Sequence, residues 1–297
     1  MIDLHTHSIA SDGEHPPDVL IELAYEKNIR LLALTDHDTL DGLEPAKKAA
    51  DRLGIAFLPG VEIETEFSPG TLHILGLGLY GDRGELDLGL KNLREKRLER
   101  NLAMIEKMND FGIKVKLTDI QSISGSQICS RPHFAEYLVQ KGVVKNSKQA
   151  FEKFLTPHRP FYEPKETMSV ASAINLILSA KGIPVLAHPL STYLSWGRLR
   201  ELIQELSELG IQGIEAFHSN CKPRASERLV EIAGEIGLFV TSGSDFHGSF
   251  LADRKLGRTM KGRKIPDSDM PKELLEHMLT NDPSQTVRSF AEQVELF

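Results

Sequence analysis

The sequence predicts an α/β barrel, because short aliphatic runs alternate with amphipathic helical segments and because most of these runs end in histidine or a carboxylate. The runs are typical of buried parallel strands: RLLALTDHD, IAFLPGVEIE, TLHILGLGLY, IPVLAHP, IQGIEAFHS and LFVTSGSDFH. Amphipathic segments lie between them, at 18–28, 43–53, 169–181, 196–209 and 224–236. Strand–helix alternation by itself fits either a barrel or a doubly wound open sheet.

The polar strand ends favour the barrel. Nearly every aliphatic run finishes at an ionisable residue: His37, Glu62, His188, Glu215, Asp245 and His247. In a (β/α) barrel the carboxyl ends of the strands form one rim, so residues far apart in the chain can surround one site. An open sheet would spread the same residues along an edge. We therefore expect a distorted TIM-like barrel.

The interval from Leu90 to Pro164 breaks the alternation and predicts an inserted helical domain. It starts with a long charged segment, LKNLREKRLERNLAMIEKMNDFG, and continues with further helical pieces. We expect the insertion to cover 91–164 and the barrel to consist of 1–90 and 165–297. The insertion acts either as a lid over the rim or as a stabilising excursion. Its basic residues from Lys91 to Arg100 alternate with glutamates, which predicts a solvated helix face.

Composition limits the classes of function. The chain has 297 residues and a formal net charge of −7, which argues against a broad basic face for long nucleic acid but leaves room for an anionic substrate at bound metal. There is no pattern of a secretory signal and no apolar run long enough to span a bilayer, so we expect a cytoplasmic protein without a membrane partner. Cys129 and Cys221 are expected to be core or incidental thiols.

Histidines and carboxylates predict a multinuclear metal site. His5 and His7 lie two apart on an early strand, so both side chains point to one face and can bind the same ion. The full set of expected ligands is His5, His7, Asp12, His37, Glu62, His73, His188, Asp245 and His247. These nine side chains are too many for one ion, which takes four to six ligands, and suit two or three.

Other ionisable residues have more ordinary interpretations. His15, His158 and His277 are expected to be structural. His218 lies beside Glu215 near a strand end and is a candidate either for a structural role or for a place behind the ligands, close to the substrate. Asp36 and Asp38 flank His37 and could orient its ring or form local turn contacts.

The ordered motifs DLHTHSIASDG, LTDHD, GVEIE, HILG, RPHFA, AHP and SDFH resemble the PHP (polymerase and histidinol phosphatase) superfamily of phosphoesterases over almost the whole chain. Within it, SRPHFA and RPFYEP look like the branch that holds the 3′,5′-nucleoside bisphosphate phosphatases and the related 5′-to-3′ exoribonuclease. The resemblance implies a distorted (β/α)₇ barrel, a three-metal site and a helical insertion that helps to bind substrate.

The same resemblance implies a distribution of ligands over three divalent ions. The first ion would take His5, His7, Glu62 and Asp245; the second would share Glu62 and add His73 and His188; the third would take Asp12, His37 and His247. Mn²⁺ is favoured, and Fe²⁺ or Zn²⁺ also suit imidazole and carboxylate. Residues expected to contact the substrate are Arg131, His133, Arg159 and His218.

The expected activity is hydrolysis of phosphate monoesters of small nucleotides, 3′,5′-nucleoside bisphosphates above all, and of the 5′ ends of short RNA. The groups nearest the reaction would be Asp12, His37, Glu62, His188 and His247. Histidinol phosphate is an alternative substrate, although the insertion with RPHFA speaks against it. A different class of function, a metal-bound structural or interaction module, is disfavoured by the intact ligand set.

The last five residues, QVELF from Gln293 to Phe297, suggest a possible partner. They resemble the short peptide that binds the bacterial sliding clamp, in which two apolar side chains fill a pocket. The other interpretation is that Leu296 and Phe297 pack on the barrel of their own chain.

Overall fold

The computed structural model describes residues 1–124, 129–164, 167–249, 251 and 253–294. The chain divides into two compact units. The barrel unit consists of Met1–Gly89 and Met168–Phe297, and the helical unit consists of Leu90–Thr167.

Seven strands form one sheet that follows the order of the chain. They are β1 (Ile2–Asp3), β2 (Leu31–Leu34), β3 (Ala56–Thr65), β4 (Leu72–Leu77), β5 (Ile183–Ala187), β6 (Gly213–His218) and β7 (Phe239–Gly243). The amide of Leu4 donates to the carbonyl of Ser242, and Thr6 forms a parallel bridge with Phe246. These contacts bring the first strand to the last, so the sheet is nearly closed, and the predicted distorted barrel is confirmed.

One strand runs against the predicted direction. β4 is antiparallel to both β3 and β5, whereas all other neighbours are parallel. The expectation that TLHILGLGLY forms a parallel strand is therefore wrong. The reason is the connection: only residues 66–71 join β3 to β4, and a parallel crossover needs about a dozen residues or more.

The helices of the described residues are α1 (Pro17–Glu26), α2 (Leu43–Leu53), α3 (Gly84–Asp110), α4 (Leu117–Ser124), α5 (Arg131–Gln140), α6 (Ser147–Ala150), α7 (Val170–Ser179), α8 (Trp196–Glu208), α9 (Pro223–Ile236), α10 (Lys272–Asn281) and α11 (Gln285–Val294). α9 shows how the sequence sets these bounds. Pro223 starts it, where the missing amide costs nothing, and Gly237 ends it with a left-handed φ of 85°.

The barrel core lies towards the amino ends of the strands. Ile2, Leu31, Leu58 and Val185 point into it and are fully buried. Helices α10 and α11 pack against the same cluster. Aliphatic side chains thus fill this half of the barrel, and the ionisable residues are left to the opposite rim.

The helical unit has a core of its own, in which Phe134 and Phe161 are fully buried. The expected solvated face of α3 is wrong for Arg97 and Arg100, which are each only 8% exposed. They follow Leu93 at helical spacing, so the packed face of α3 carries them inward. The guanidinium of Arg100 donates to the side-chain oxygen of Asn101 at 2.7 Å, which supplies a partner for its buried N–H.

Among the described residues, no helix is both long enough and apolar enough to cross a bilayer.

Candidate metal centre

The candidate site is built around Glu62, a fully buried carboxylate in the middle of β3. Five imidazole nitrogens lie within 3.3 Å of its two oxygens, on His5, His7, His37, His73 and His188. The sequence separates these residues by as many as 183 positions between His5 and His188, and the barrel brings them together. A carboxylate in such a place is buried only because cationic or metal-binding partners surround it.

The strands explain how the rings converge. His5 and His7 follow β1 on one face, as their spacing predicts, and their Nε2 atoms lie 3.2 and 3.3 Å from Oε2 of Glu62. His37 follows β2, and its backbone forms a parallel bridge with Glu62 itself. His188 follows β5 in the same way. These positions are the carboxyl ends of parallel strands.

His73 reaches the same rim by the opposite route. It lies near the beginning of β4, not at its end, and pairs with Glu64 of β3. Because β4 is antiparallel, the start of this strand is level with the ends of its neighbours. Nδ1 of His73 therefore lies 2.8 Å from Oε1 of Glu62. The reversed strand is what places this residue in the site.

A second carboxylate joins the site from the end of β7. Oδ1 of Asp245 lies 3.2 Å from Nε2 of His7 and 3.5 Å from Nε2 of His5. Asp12 approaches from the loop after β1, with Oδ1 3.4 Å from Nε2 of His247. All nine side chains that the sequence indicated as ligands thus lie at one rim.

Three groups of these side chains hold their ligand atoms within 4.8 Å of one another. They are His5, His7, Glu62 and Asp245; His7, Asp12, His37 and His247; and His37, Glu62 and His73. The first group equals the set implied for the first ion. The second group adds His7 to the set implied for the third ion. The third group has His37 where the set implied for the second ion has His188. His7 and His37 are shared between groups because both rings lie between neighbouring carboxylates. His188 contacts Glu62 from the side, at 2.8 Å.

The donor set fits divalent metal ions. Nε2 of His7 is buried and lies close to oxygens of both Glu62 and Asp245, yet within the described chain it forms a hydrogen bond with neither. A buried nitrogen of this kind needs another partner. Imidazole and carboxylate together suit borderline divalent ions such as Mn²⁺, Fe²⁺ and Zn²⁺.

The charges of the site are strongly coupled. Burial lowers the pKa of His7, but contacts with Asp245 and Glu62 outweigh burial and raise that pKa to about 9. Burial lowers the pKa of His37 to about 3, in spite of Glu62 and Asp12. Burial opposes ionisation of Glu62 too, but the surrounding histidines hold its pKa well below the usual range. The carboxylate is therefore ionised at neutral pH.

Glu215 supports the ligands from behind, a role that the sequence did not reveal. Its Oε1 lies 2.9 Å from Nδ1 of His5, and its Oε2 accepts a hydrogen bond from the amide of His188 at 2.8 Å. The contact with Nδ1 leaves Nε2 of His5 directed at Glu62. The sequence showed Glu215 only as a polar strand end, and its position in β6 was the one available signal.

His218 and Arg254 hold the carboxylate of Asp245. Nδ1 of His218 accepts the amide of Asn220, so Nε2 carries the proton and donates to Oδ2 of Asp245 at 3.1 Å. The guanidinium of Arg254 contacts the same oxygen. His218 therefore lies behind a ligand candidate, and its expected contact with the substrate stays a prediction. Arg254 had no sequence signal, because it lies in a loop nine residues after its partner.

Asp36 supports the loop that carries Asp12. Its carboxylate accepts hydrogen bonds from the amide and hydroxyl of Ser8 and from the hydroxyl of Ser11. Ser8 and Ser11 lie 28 and 25 positions from Asp36 in the chain, so these contacts differ from the local turn contacts expected as one interpretation of Asp36. Burial raises the pKa of this carboxyl group.

Two ligand candidates have a left-handed backbone. His188 has φ of 26° and Asp245 has φ of 53°. A non-glycine residue rarely adopts this region, and the surrounding structure must hold it there at a cost of about 1–3 kcal/mol. Such strain is typical of functional positions.

The other candidates from the sequence lie in the helical unit. The guanidinium of Arg131 lies 5.2 Å from the centre of the Tyr162 ring. Nδ1 of His133 accepts the amide of Ser130 and caps α5. Arg159 is exposed. Leu296 and Phe297 of the QVELF tail lie outside the described residues, so the clamp contact stays a prediction.

A cavity of about 250 Å³ lies beside the centre, next to His188. Its wall includes Glu215, His218, Asn220 and the exposed ring of Tyr193. The site therefore has both ionic groups and an aromatic surface next to them.

Comparisons with known proteins find relatives over most of the chain. The PHP domain family matches residues 3–156. A 3′,5′-nucleoside bisphosphate phosphatase from Chromobacterium violaceum is 38% identical over 87% of this chain and 91% of its own length. A 5′-3′ exoribonuclease from Haemophilus influenzae is 33% identical over 82% of this chain and 89% of its own. A solved structure from Chromobacterium violaceum, described as an amidohydrolase with bound sulfate, is 35% identical and covers 93% of this chain and 96% of that one, with a TM-score of 0.77.

Gly243→Ala is expected to weaken metal binding, although Gly243 is no ligand. A Cβ atom there would lie 2.3 Å from Cβ of His5 and 2.4 Å from Oε1 of Glu215, so it would separate the two. Loss of such a support costs about 10- to 100-fold in affinity, measured by calorimetric titration with Mn²⁺. Gly234→Ala is the control, because its Cβ would meet nothing within 4 Å. Equal affinity of both variants would contradict the assigned support.

Metal binding is expected to release protons. In the absence of ions His7, with a pKa of about 9, carries a proton at pH 7, and the ion must displace it. Apparent affinity should therefore rise about tenfold per pH unit for each displaced proton as pH increases from 7 towards 9. Calorimetry in two buffers of different ionisation enthalpy counts the protons, and an affinity independent of pH would contradict the charge assignment.

Proposed function

This chain belongs to the PHP domain family and is a hydrolase of phosphate esters, and we propose that it is a metal-dependent enzyme acting on small nucleotides. The proposed reaction converts a 3′,5′-nucleoside bisphosphate into a 5′-nucleotide and phosphate. Removal of the terminal nucleotide from the 5′ end of short RNA is the second proposed activity.

The observation that supports this proposal most directly is the contact of Glu62 with five histidines inside a rim of nine potential ligands. A purely structural core would have no use for so many buried ionisable groups. The similarity to a bisphosphate phosphatase over 87% of the chain favours the nucleotide substrate.

The reaction is a displacement at phosphorus. Divalent ions held by the nine side chains, three in our proposal and Mn²⁺ by preference, would lower the pKa of a water molecule and neutralise charge on the phosphoryl oxygens. The oxygen of water bonds to phosphorus, the bond from phosphorus to the ribose 3′-oxygen breaks, and the 3′-oxygen takes a proton.

Exposure indicates which side of the site meets the substrate. The side chains of Asp12 and His37 are 28% and 16% exposed, whereas those of His5 and Glu62 are 0% and 1% exposed. We therefore assign Asp12 and His37 to the side that faces the phosphate and the leaving oxygen, with Nε2 of His247 3.4 Å from Asp12. Glu62 and His5 hold the inner part of the site, and His188, 11% exposed, is intermediate.

The helical unit is proposed to supply groups for substrate binding, with Arg131 as the main one. Guanidinium binds two oxygens of a phosphate at once, which an ammonium group cannot do. His133 and Arg159 are further candidates in the same unit.

One experiment distinguishes this function from the two alternatives, a histidinol-phosphate phosphatase and a structural module. The Mn²⁺-loaded protein is incubated with adenosine 3′,5′-bisphosphate, histidinol phosphate and a 5′-phosphorylated RNA pentamer, and release of phosphate and mononucleotide is followed. We expect the bisphosphate to be preferred. Turnover of histidinol phosphate alone would assign a phosphatase of amino-acid metabolism, and inactivity on all three would favour a structural module.

Glu62→Gln is expected to lower kcat/KM for adenosine 3′,5′-bisphosphate by about a thousandfold, because loss of ion binding removes several kcal/mol of transition-state stabilisation. Glu231→Gln, on the exposed face of α9, is the matched control and should keep wild-type activity. Circular dichroism checks that both variants fold. A folded Glu62→Gln protein with full activity would exclude the assigned site.

Arg131→Lys tests the proposed phosphate contact. The substitution keeps the charge but loses the paired hydrogen bonds, each worth about 1.5–3 kcal/mol when charged, so KM for the bisphosphate should rise about 10- to 100-fold with a smaller change in kcat. Arg198→Lys, at an exposed site on α8, is the control. An unchanged KM would remove Arg131 from the substrate site.

A further inference from the structure

A cavity of about 540 Å³ lies on the barrel unit beside the candidate metal centre. We call it the basic groove and define it by five of its lining residues, Lys27, Arg254, Lys255, Arg258 and Lys264. The groove reaches the metal centre through Arg254, whose guanidinium contacts Asp245. Phe246 and Gly248, on either side of His247 in the chain, and Met1, which precedes β1, also line it.

The charge of the groove is opposite to that of the chain. The whole protein has a formal net charge of −7, whereas the residues that line this cavity include five cationic side chains and no carboxylate. Two carboxylates contact lining residues: Glu14 accepts from the hydroxyl of Ser249 at 3.0 Å, and Asp267 pairs with the amino group of Met1 at 2.9 Å. Arg254 contacts Asp245, and Arg258 donates to the carbonyl of Gly262 at 2.7 Å. The other three, Lys27, Lys255 and Lys264, are exposed and form no ion pair with any residue that the structure describes. Such a groove attracts a polyanion.

Rings at the rim provide a second feature. The imidazole of His15 and the ring of Phe246 are nearly parallel, with centroids 5.9 Å apart and an interplanar angle of 13°. Both side chains are partly exposed and line the groove. In proteins that bind single-stranded nucleic acid without reading its sequence, bases stack on aromatic side chains in a positively charged groove, and this partly exposed pair of rings offers such a surface.

The proposed reaction explains where a longer substrate would go. In a bisphosphate and in RNA alike, the bond that breaks joins phosphorus to the 3′-oxygen of the first ribose. The two substrates differ in that the phosphorus of RNA also carries the next nucleotide. Hydrolysis leaves that phosphate on the shortened RNA, and the remaining strand must lie beyond the metal centre.

We propose that the basic groove binds the phosphodiester backbone of single-stranded RNA on the 3′ side of the bond that is cleaved. This inference rests on the proposed function. The groove would then hold the rest of the strand while the terminal nucleotide is removed, which is the second activity proposed above.

The length of the groove limits the RNA that it can hold. Met1 and Phe246 both line the groove, and Phe246 pairs with Thr6; from Met1 to Thr6 the chain extends at most about 17 Å, at about 3.3 Å per residue. A stacked strand rises about 3.4 Å per nucleotide, so this part of the groove has room for about five nucleotides. The advantage of longer RNA should therefore stop at about that length.

The test compares two double variants with the same change of charge. Lys255→Ala/Lys264→Ala removes two lysines of the groove, and Lys48→Ala/Lys272→Ala removes two exposed lysines elsewhere on the barrel unit. With Mn²⁺-loaded protein, the groove variant should raise KM for a 5′-phosphorylated RNA pentamer about tenfold and change KM for adenosine 3′,5′-bisphosphate less than twofold. The slope of log KM against log salt concentration should fall by about 1.4 for the pentamer, at about 0.7 per lost phosphate contact.

The outcomes distinguish this inference from the proposed function. An unchanged KM for RNA, or equal rises for both substrates or both double variants, would overturn the groove. If the wild-type protein hydrolyses neither substrate, the proposed function fails. Fluorescence anisotropy with a labelled RNA pentamer then still tests whether the groove binds RNA. Weaker RNA binding by the groove variant alone would support the groove, and equal binding by both variants would exclude it.

Discussion

The structure of the barrel unit depends on one buried carboxylate. Glu62 lies in the middle of a strand whose other side chains are mostly apolar, and it is ionised there because five imidazole rings surround it. To bring those rings together, the chain must deliver His5, His37 and His188 from the ends of three different strands. A barrel meets this requirement, because aliphatic side chains form the core at one end while the carboxyl ends of the strands place the ionisable groups together at the other.

Residues outside the set of ligand candidates hold the candidates in position. Glu215 fixes both the ring of His5 and the backbone of His188, and Arg254 holds Asp245 from a loop outside the barrel. Arg254 also belongs to the basic groove. One guanidinium therefore links the position of a ligand to the surface where we place the rest of an RNA substrate. In that proposal, Arg254 would couple the position of a metal ligand to the binding of the RNA strand.

Much of this site can be predicted from the sequence. The remaining features cannot, and each has a physical reason. The two-residue spacing of His5 and His7 and the polar strand ends predicted a barrel rim, because strand geometry is local and regular. The direction of β4 was missed, since it follows from the short connection at 66–71 and not from the pattern of the strand. The inward position of Arg97 and Arg100 was missed as well, because charge alternation on α3 does not reveal which face packs. Glu215 acts through contacts between distant segments, and Arg254 through an irregular loop nine residues after Asp245, and neither kind of contact follows from a local pattern.

The left-handed backbone of His188 and Asp245 has a consequence for the evolution of this protein. At both positions glycine or asparagine would suit the main chain better than the residue that the proposed metal binding requires. Selection for thermal tolerance alone would thus favour replacement of these two residues and would erode catalysis while improving the fold. Natural or laboratory descendants that lose the reaction but keep the barrel should carry their first changes here.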